Sequence, residues 1–154
     1  MMLELHNVSI GQQVQGLSMT VNDGELASLS GPQGSGKTTV LKAIVGLIPV
    51  DAGHISIDGE LLTPKSAPYF RRYMAYVPQH LVVPEGYDKV PTDYVELLRR
   101  AVSSDKQLLI VDEPPHDVRE TAANTICGLL QEAVGRGATV LAVNTPITEK
   151  QIRL

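Results

Sequence analysis

Apolar residues along the chain follow two rhythms, alternation and helical spacing, and stretches of one succeed stretches of the other. Leu17, Met19 and Val21 alternate with polar neighbours ahead of Asn22-Asp23-Gly24. Residues 3–30 therefore read as strand-rich, with a turn at 22–24 and a strand from Leu26 to Leu29. A glycine-rich stretch comes next, then a helical pattern from Lys37 to Val45 that stops at Gly46. Alternation resumes in His54-Ile55-Ser56-Ile57 and ends on Asp58-Gly59, which predicts an antiparallel layer beside the glycine-rich stretch. Met74 to Val77 is a short strand cut off by Pro78, and residues 80–92, with Pro84, Gly86 and Pro91, read as loop. A helix is expected from Asp93 to Val102, opened by an Asp93/Glu96 cap. Leu108 to Val111 is an unbroken apolar run, as in a strand covered on both faces. A longer helix should span about Val118 to Val134 and end at Gly135-Arg136-Gly137, before a second buried strand from Thr139 to Val143. Strands and helices in this order predict an α/β fold with a mainly parallel sheet and an antiparallel β layer near the N-terminus.

The 154 residues fit one domain, 1–154, and 43% hydrophobic against 19% charged residues is a globular balance, so the chain can build its own core. A net charge of −4 leaves no basic excess to neutralise a nucleic-acid backbone, which argues against nucleic acid as a partner. The single cysteine, Cys127, lies in an apolar helical pattern and reads as packing. The start, Met1 to His6, has neither a basic head nor a long apolar run, and the most apolar stretch, Val40 to Val50, is broken by Lys42 and Pro49. A soluble, cytoplasmic protein is the expectation. His54, His80 and His116 show no metal-ligand spacing and read as surface residues, as do the pairs Arg71-Arg72 and Arg99-Arg100.

Gly31-Pro32-Gln33-Gly34-Ser35-Gly36-Lys37-Thr38 has two glycines with four residues between them, followed by Lys and Thr, between a strand and a helix: the Walker A, or P-loop, pattern. Glycines let backbone N–H groups curl round phosphate oxygens, and a helix N-terminus adds a favourable dipole. Lys37 would reach the β- and γ-phosphates, and the Thr38 hydroxyl would be a ligand of Mg2+. MgATP is the expected ligand. Leu108-Leu109-Ile110-Val111-Asp112-Glu113-Pro114 then sets two carboxylates at the end of a buried strand, where ligand sites of open α/β sheets collect. Asp112 suits the magnesium, directly or through water, and Glu113 suits a general base for an attacking water.

Together these pieces resemble the ATP-binding cassette (ABC) ATPases along nearly the whole chain. The likeness is carried by Asp23-Gly24-Glu25, Gly31 to Thr39, the run from Asp51 to Gly59, Tyr76-Val77-Pro78-Gln79 and Asp112-Glu113-Pro114. The resemblance implies that Gln79 touches the magnesium and the attacking water and relays nucleotide state to a membrane subunit. It extends the nucleotide site to Thr39 and implies a cytoplasmic position at the membrane's inner face through such a partner.

The sequence also departs from that family. Only 33 positions separate Gln79 from Asp112, so residues 80–105 stand in for most of the family's helical subdomain. Asp88-Lys89-Val90-Pro91-Thr92 occupies the place of the Leu-Ser-Gly-Gly-Gln signature, which closes over the γ-phosphate of the opposite subunit. Thr145 stands where the family has its γ-phosphate histidine, and Arg119 replaces an acid of the dimer contact. No aromatic residue precedes Tyr69, so the ring that commonly stacks on adenine near residues 10–14 is absent; His6 is a weak stacker there or simply a solvated or edge-strand residue. Two readings follow: an ABC-type ATPase that drives a membrane partner, or a nucleotide-binding regulatory or scaffold subunit with little hydrolysis of its own. A second, complete cassette supplying its signature in trans would reconcile them.

Overall fold

The computed structural model describes residues 1–80, 93–145 and 150–154. The segment expected to be loop, from residue 81 to 92, including Asp88 to Thr92, lies outside the described residues. Two sheets form. The first is antiparallel, with β1 (Leu3–Ile10), β2 (Val14–Val21), β4 (Ala52–Ile57) and β5 (Glu60–Leu61) in the order β2-β1-β4-β5. The second is parallel, with β3 (Leu26–Ser30), β6 (Met74–Val77), β7 (Leu108–Val111), β8 (Thr139–Val143) and β9 (Lys150–Arg153) in the order β6-β7-β8-β3-β9. This is the α/β fold with an antiparallel layer that the patterning predicts.

Alternation sorts the parallel strands between two cores. Ala27 and Leu29, Leu108 and Ile110, Leu141 and Val143 face one side, where they meet the antiparallel sheet and α1 (Lys37–Ile44). Leu26, Leu109 and Val111, Val140 and Ala142 face the other and meet α3 (Tyr94–Ser103) and α4 (His116–Gly135). The result is three layers, which explains why β7 throughout and β8 from Val140 to Val143 are apolar while β2 alternates. Leu29, Leu108, Ile110 and Leu141 are wholly buried, each contributing about 1.5–3 kcal/mol of burial free energy.

The local chemistry of the turns accounts for the element ends. Asp58 (φ 52°) and Gly59 (φ 81°) both take positive φ and join β4 to β5 in a tight hairpin. The turn after β2 closes with Glu25 N–H on the Asn22 carbonyl at 3.0 Å. Asp93 caps α3, its carboxylate accepting from the Glu96 N–H at 2.8 Å, while the Glu96 side chain pairs with Arg100 rather than returning to the cap. Helix α1 ends at Ile44, one residue short of the expected Val45, before Gly46 at φ 79°.

Three elements depart from expectation, α4, α2 and β9. Helix α4 begins at His116, not Val118, because Pro115 acts as its N-cap and Asp117 favours the first turn; it carries a kink at Ala122. Helix α2 (Ala67–Arg71) is short and opens with a proline, and β9 is largely polar, so neither shows in the patterning. His6 is exposed on β1, an interior strand of its sheet, and stacks on His54 at 4.7 Å between ring centroids. Cys127 is buried, and among the described residues no helix is long and apolar enough to cross a membrane.

Candidate functional site

The C-terminal ends of β3, β6 and β7 deliver the three sequence segments singled out above to one edge of the parallel sheet. β3 feeds the glycine-rich loop, β6 leads to Gln79, and β7 ends at Asp112-Glu113. Between β7 and β3 lies β8, whose end carries Asn144.

Glycine is required at two places in the loop. Gly36, the N-cap of α1, has φ 95°, and a Cβ there would stand 2.7 Å from Val14 Cγ2. Gly34 has φ 82° with open space around it, so backbone approaches the cavity with no side chain in the way. The first-turn N–H groups of α1 point out of the helix toward the loop, free of partners within the helix itself.

Gln33, Gly34, Gly36, Lys37, Thr38, Thr39, Gln79 and Glu113 line one cavity of about 550 Å3, within the range of small-molecule sites. Gly31, Ser35 and Asp112 are not among the lining residues. Lys37, only 8% exposed, donates from Nζ to the carbonyl oxygens of Gly31 at 2.6 Å and Pro32 at 2.7 Å, with Ser35 Oγ at 3.4 Å. The loop therefore wraps its own lysine. To meet an anion, that ammonium exchanges carbonyl partners for phosphate oxygens without leaving the loop.

Asp112 is 3% exposed, and its two oxygens are spoken for: Oδ2 accepts from Thr38 Oγ1 at 2.9 Å and Oδ1 from the Glu113 N–H at 2.7 Å. Burial pushes its carboxyl above the usual carboxylate range, against the pull of those two donors. Beneath it, the Tyr94 hydroxyl donates to the Asp112 carbonyl at 2.5 Å, and burial raises the Tyr94 phenol strongly. A hydroxyl and a buried carboxylate in contact form a hard oxygen donor set with excess negative charge, which fits a divalent cation such as Mg2+.

Glu113 is partly buried, with Oε1 accepting from Arg119 Nη1 and Oε2 from Asn144 Nδ2 at 3.4 Å. Asn144 has φ 50°, and its Oδ1 accepts from the Gly31 N–H at 3.4 Å, tying Glu113 back to the loop. Thr145, at the position of the family histidine, is buried; its N–H donates to Ser28 Oγ at 3.0 Å and it does not line the cavity.

Sequence reasoning missed Gln13, Asn144 and Tyr94. Gln13 lines the cavity from the turn between β1 and β2, with Thr39 Oγ1 donating to its Oε1 at 3.4 Å. A polar residue directly after the apolar run Val140 to Val143 was the available signal for Asn144. His116 and Arg119, read as a surface histidine and a dimer-contact replacement, both line the cavity as well.

A three-layer α/β domain with a lysine-bearing glycine loop and an acidic strand end at the sheet's C-terminal edge defines a P-loop nucleotide-binding fold. The chain belongs to the ABC transporter family, whose family model matches residues 14–90. Among curated relatives, the Nod factor export ATP-binding protein I of Burkholderia lata is 31% identical over 184 residues, covering 92% of this chain and 60% of that protein. Those 184 aligned positions exceed the 154 residues present here, so the relative carries interior residues without a counterpart in this chain. The lipopolysaccharide export system ATP-binding protein LptB of Escherichia coli is 47% identical over 68 residues, covering 43% of this chain and 28% of that one. The chain thus spans at most 60% of the length of these relatives. A solved ATP-binding subunit of an ABC transporter superposes with a TM-score of 0.76 at 22% identity, over 95% of this chain and 80% of that one. A dimeric ATP-binding cassette bound to ADP and Pi does so with a TM-score of 0.72 at 19% identity, over 92% and 87%. These two likenesses establish the fold.

Proposed function

We infer that this chain is a single nucleotide-binding domain, residues 1–154, that holds MgATP on the loop from Gly31 to Thr39 and serves an ABC-type transport complex. The observation that carries this reading is the 2.9 Å contact of Thr38 Oγ1 with Asp112 Oδ2, which joins the phosphate loop to the acidic strand end. Lys37 and the N–H groups at the start of α1 supply positive charge to the β- and γ-phosphates. Mg2+ would be held by Thr38 and Asp112, with Gln79 nearby, and when bound it neutralises phosphate charge.

In hydrolysis, a water oxygen bonds to the γ-phosphorus as the bond to the bridging oxygen breaks and leaves its pair on ADP. Glu113 takes the water's proton. Gln79, on the cavity wall beside it, positions that water. A membrane-spanning subunit is the proposed partner, placing the domain at the membrane's inner face. Support comes from the family and from an apolar cleft lined by Leu47, Ile48, Val50 and Leu62, with Leu47 56% exposed.

A second reading, MgATP binding with little turnover by the lone chain, is favoured by Glu113 itself. Both its oxygens already accept hydrogen bonds, from Arg119 and Asn144, so an attacking water must compete with the guanidinium for its place beside Oε1. A second, complete cassette in a dimer would supply the missing signature in trans. Phosphate release by the purified chain, with Lys37→Ala and Glu113→Gln as controls, separates the two. A rate abolished by both changes supports the ATPase; tight ATP binding without release supports the binder, and a partner cassette that restores release supports the heterodimer.

A further inference from the structure

We propose that Arg119 is a phosphate-binding residue of this chain's own site, a cation that passes from Glu113 to the terminal phosphate when a nucleoside triphosphate enters. The proposal rests on the reading that the cavity binds MgATP.

The placement follows from the chain. Pro114-Pro115 ends the strand segment and caps α4, so the helix starts at His116 and Arg119 lies one turn in, its N–H on the Pro115 carbonyl at 2.8 Å. Residues three apart share a helix face, and both His116 and Arg119 line the cavity that Lys37 and Thr38 also line. There Arg119 Nη1 donates to Glu113 Oε1, while Nη2 lies 3.2 Å from His116 Nδ1. His116 Nε2 in turn pairs with Glu120 at 3.1 Å.

A guanidinium has five N–H donors in a planar fork, and these contacts use two of them, so capacity remains for a phosphate. Its present anion is a single carboxylate, half-shared with Asn144. A terminal phosphate carries more charge and offers three oxygens, so it outcompetes that carboxylate for the fork. The transfer has a second effect. It frees Glu113 Oε1 while Asn144 keeps the other oxygen tethered to Gly31, so the carboxylate gains a free lone pair without losing its position. Because Glu113 faces the γ-phosphate in the proposed reaction, Arg119 distinguishes a triphosphate from a diphosphate.

The test is calorimetric titration of the full chain with the magnesium complexes of a non-hydrolysable imido analogue of ATP and of ADP. Wild type, Arg119→Ala and Arg119→Lys are compared, with thermal melts to verify folding; at 46% side-chain exposure Arg119 is not a core residue. The expected result is triphosphate affinity about tenfold weaker in Arg119→Ala, with the diphosphate unchanged and part of the loss recovered in Arg119→Lys. Equal weakening of both nucleotides, no change in either, or tighter triphosphate binding in Arg119→Ala would overturn the proposal and leave nucleotide binding standing. A wild-type chain that binds neither nucleotide overturns both.

Discussion

Replacing Gly36 by alanine tests how the antiparallel layer holds the phosphate loop. The added Cβ meets two separate obstacles. Gly36 sits at φ 95°, ψ 17°, a left-handed conformation that costs an L-residue about 1–2 kcal/mol. The new methyl would also lie 2.7 Å from Val14 Cγ2 and 3.2 Å from Gln13 Cβ. Val14 is 1% exposed and β-branched, so its methyl cannot swing aside, and relieving the overlap costs about 1–3 kcal/mol more. Together these predict a loss of about 2–5 kcal/mol, a fall in Tm of roughly 5–15 °C for a domain of this size. Gly34→Ala is the matched control. It has φ 82° but nothing within 4 Å of the added atom, so it pays the backbone term alone, roughly 3–6 °C. Thermal melts followed by far-UV circular dichroism give both values. Equal shifts for the two variants, or none for Gly36→Ala, would refute the claim that the turn between β1 and β2 is packed against the start of α1.

Three further outcomes follow from the site. Tyr94→Phe removes the hydroxyl that donates to the Asp112 carbonyl at 2.5 Å and leaves a buried acceptor unpaired; a loss of about 1–2 kcal/mol in denaturant-unfolding stability is expected. Asp112 gives a pH signature: its carboxyl is raised on folding, so its contribution favours the fold below the ordinary carboxylate value and is lost as pH rises through the folded value. Wild type should therefore lose stability relative to Asp112→Asn as pH is raised from about 4 toward neutrality, measured by denaturant unfolding without divalent cations. Added Mg2+ and ATP should raise the wild-type melting temperature, and Asp112→Asn should forfeit most of the Mg2+-dependent part.

The elements legible in the sequence are those whose burial is decided by one face or two. Leu108 to Val111 and Val140 to Val143 sit between two cores, so their unbroken apolar spelling reports the layering directly. Asp58-Gly59 and Asn22-Asp23-Gly24 announce turns through backbone requirements that few other residues meet. Strand β9 left no such trace: it pairs with β3 at the sheet edge through backbone groups, and only Ile152 among Lys150, Gln151, Ile152 and Arg153 packs on the core. Helix α2 is shorter than two turns and holds a proline, below the length at which periodicity registers. In the site, spacing alone revealed the loop and the acidic strand end, because phosphate-binding chemistry restricts residue type there. Gln13 and Arg119 line the same cavity from the turn after β1 and from α4, and Asn144, just after β8, reaches Glu113; only the strand order and the early start of α4 bring them in.

Isothermal titration of the folded chain with ATP and Mg2+ tests directly whether the glycine loop and Asp112 together hold a magnesium-bound triphosphate: a saturable heat with one site, removed by Lys37→Ala and weakened when Mg2+ is withheld, is the result expected. Heat no larger than dilution from material whose circular dichroism shows the native fold would contradict it.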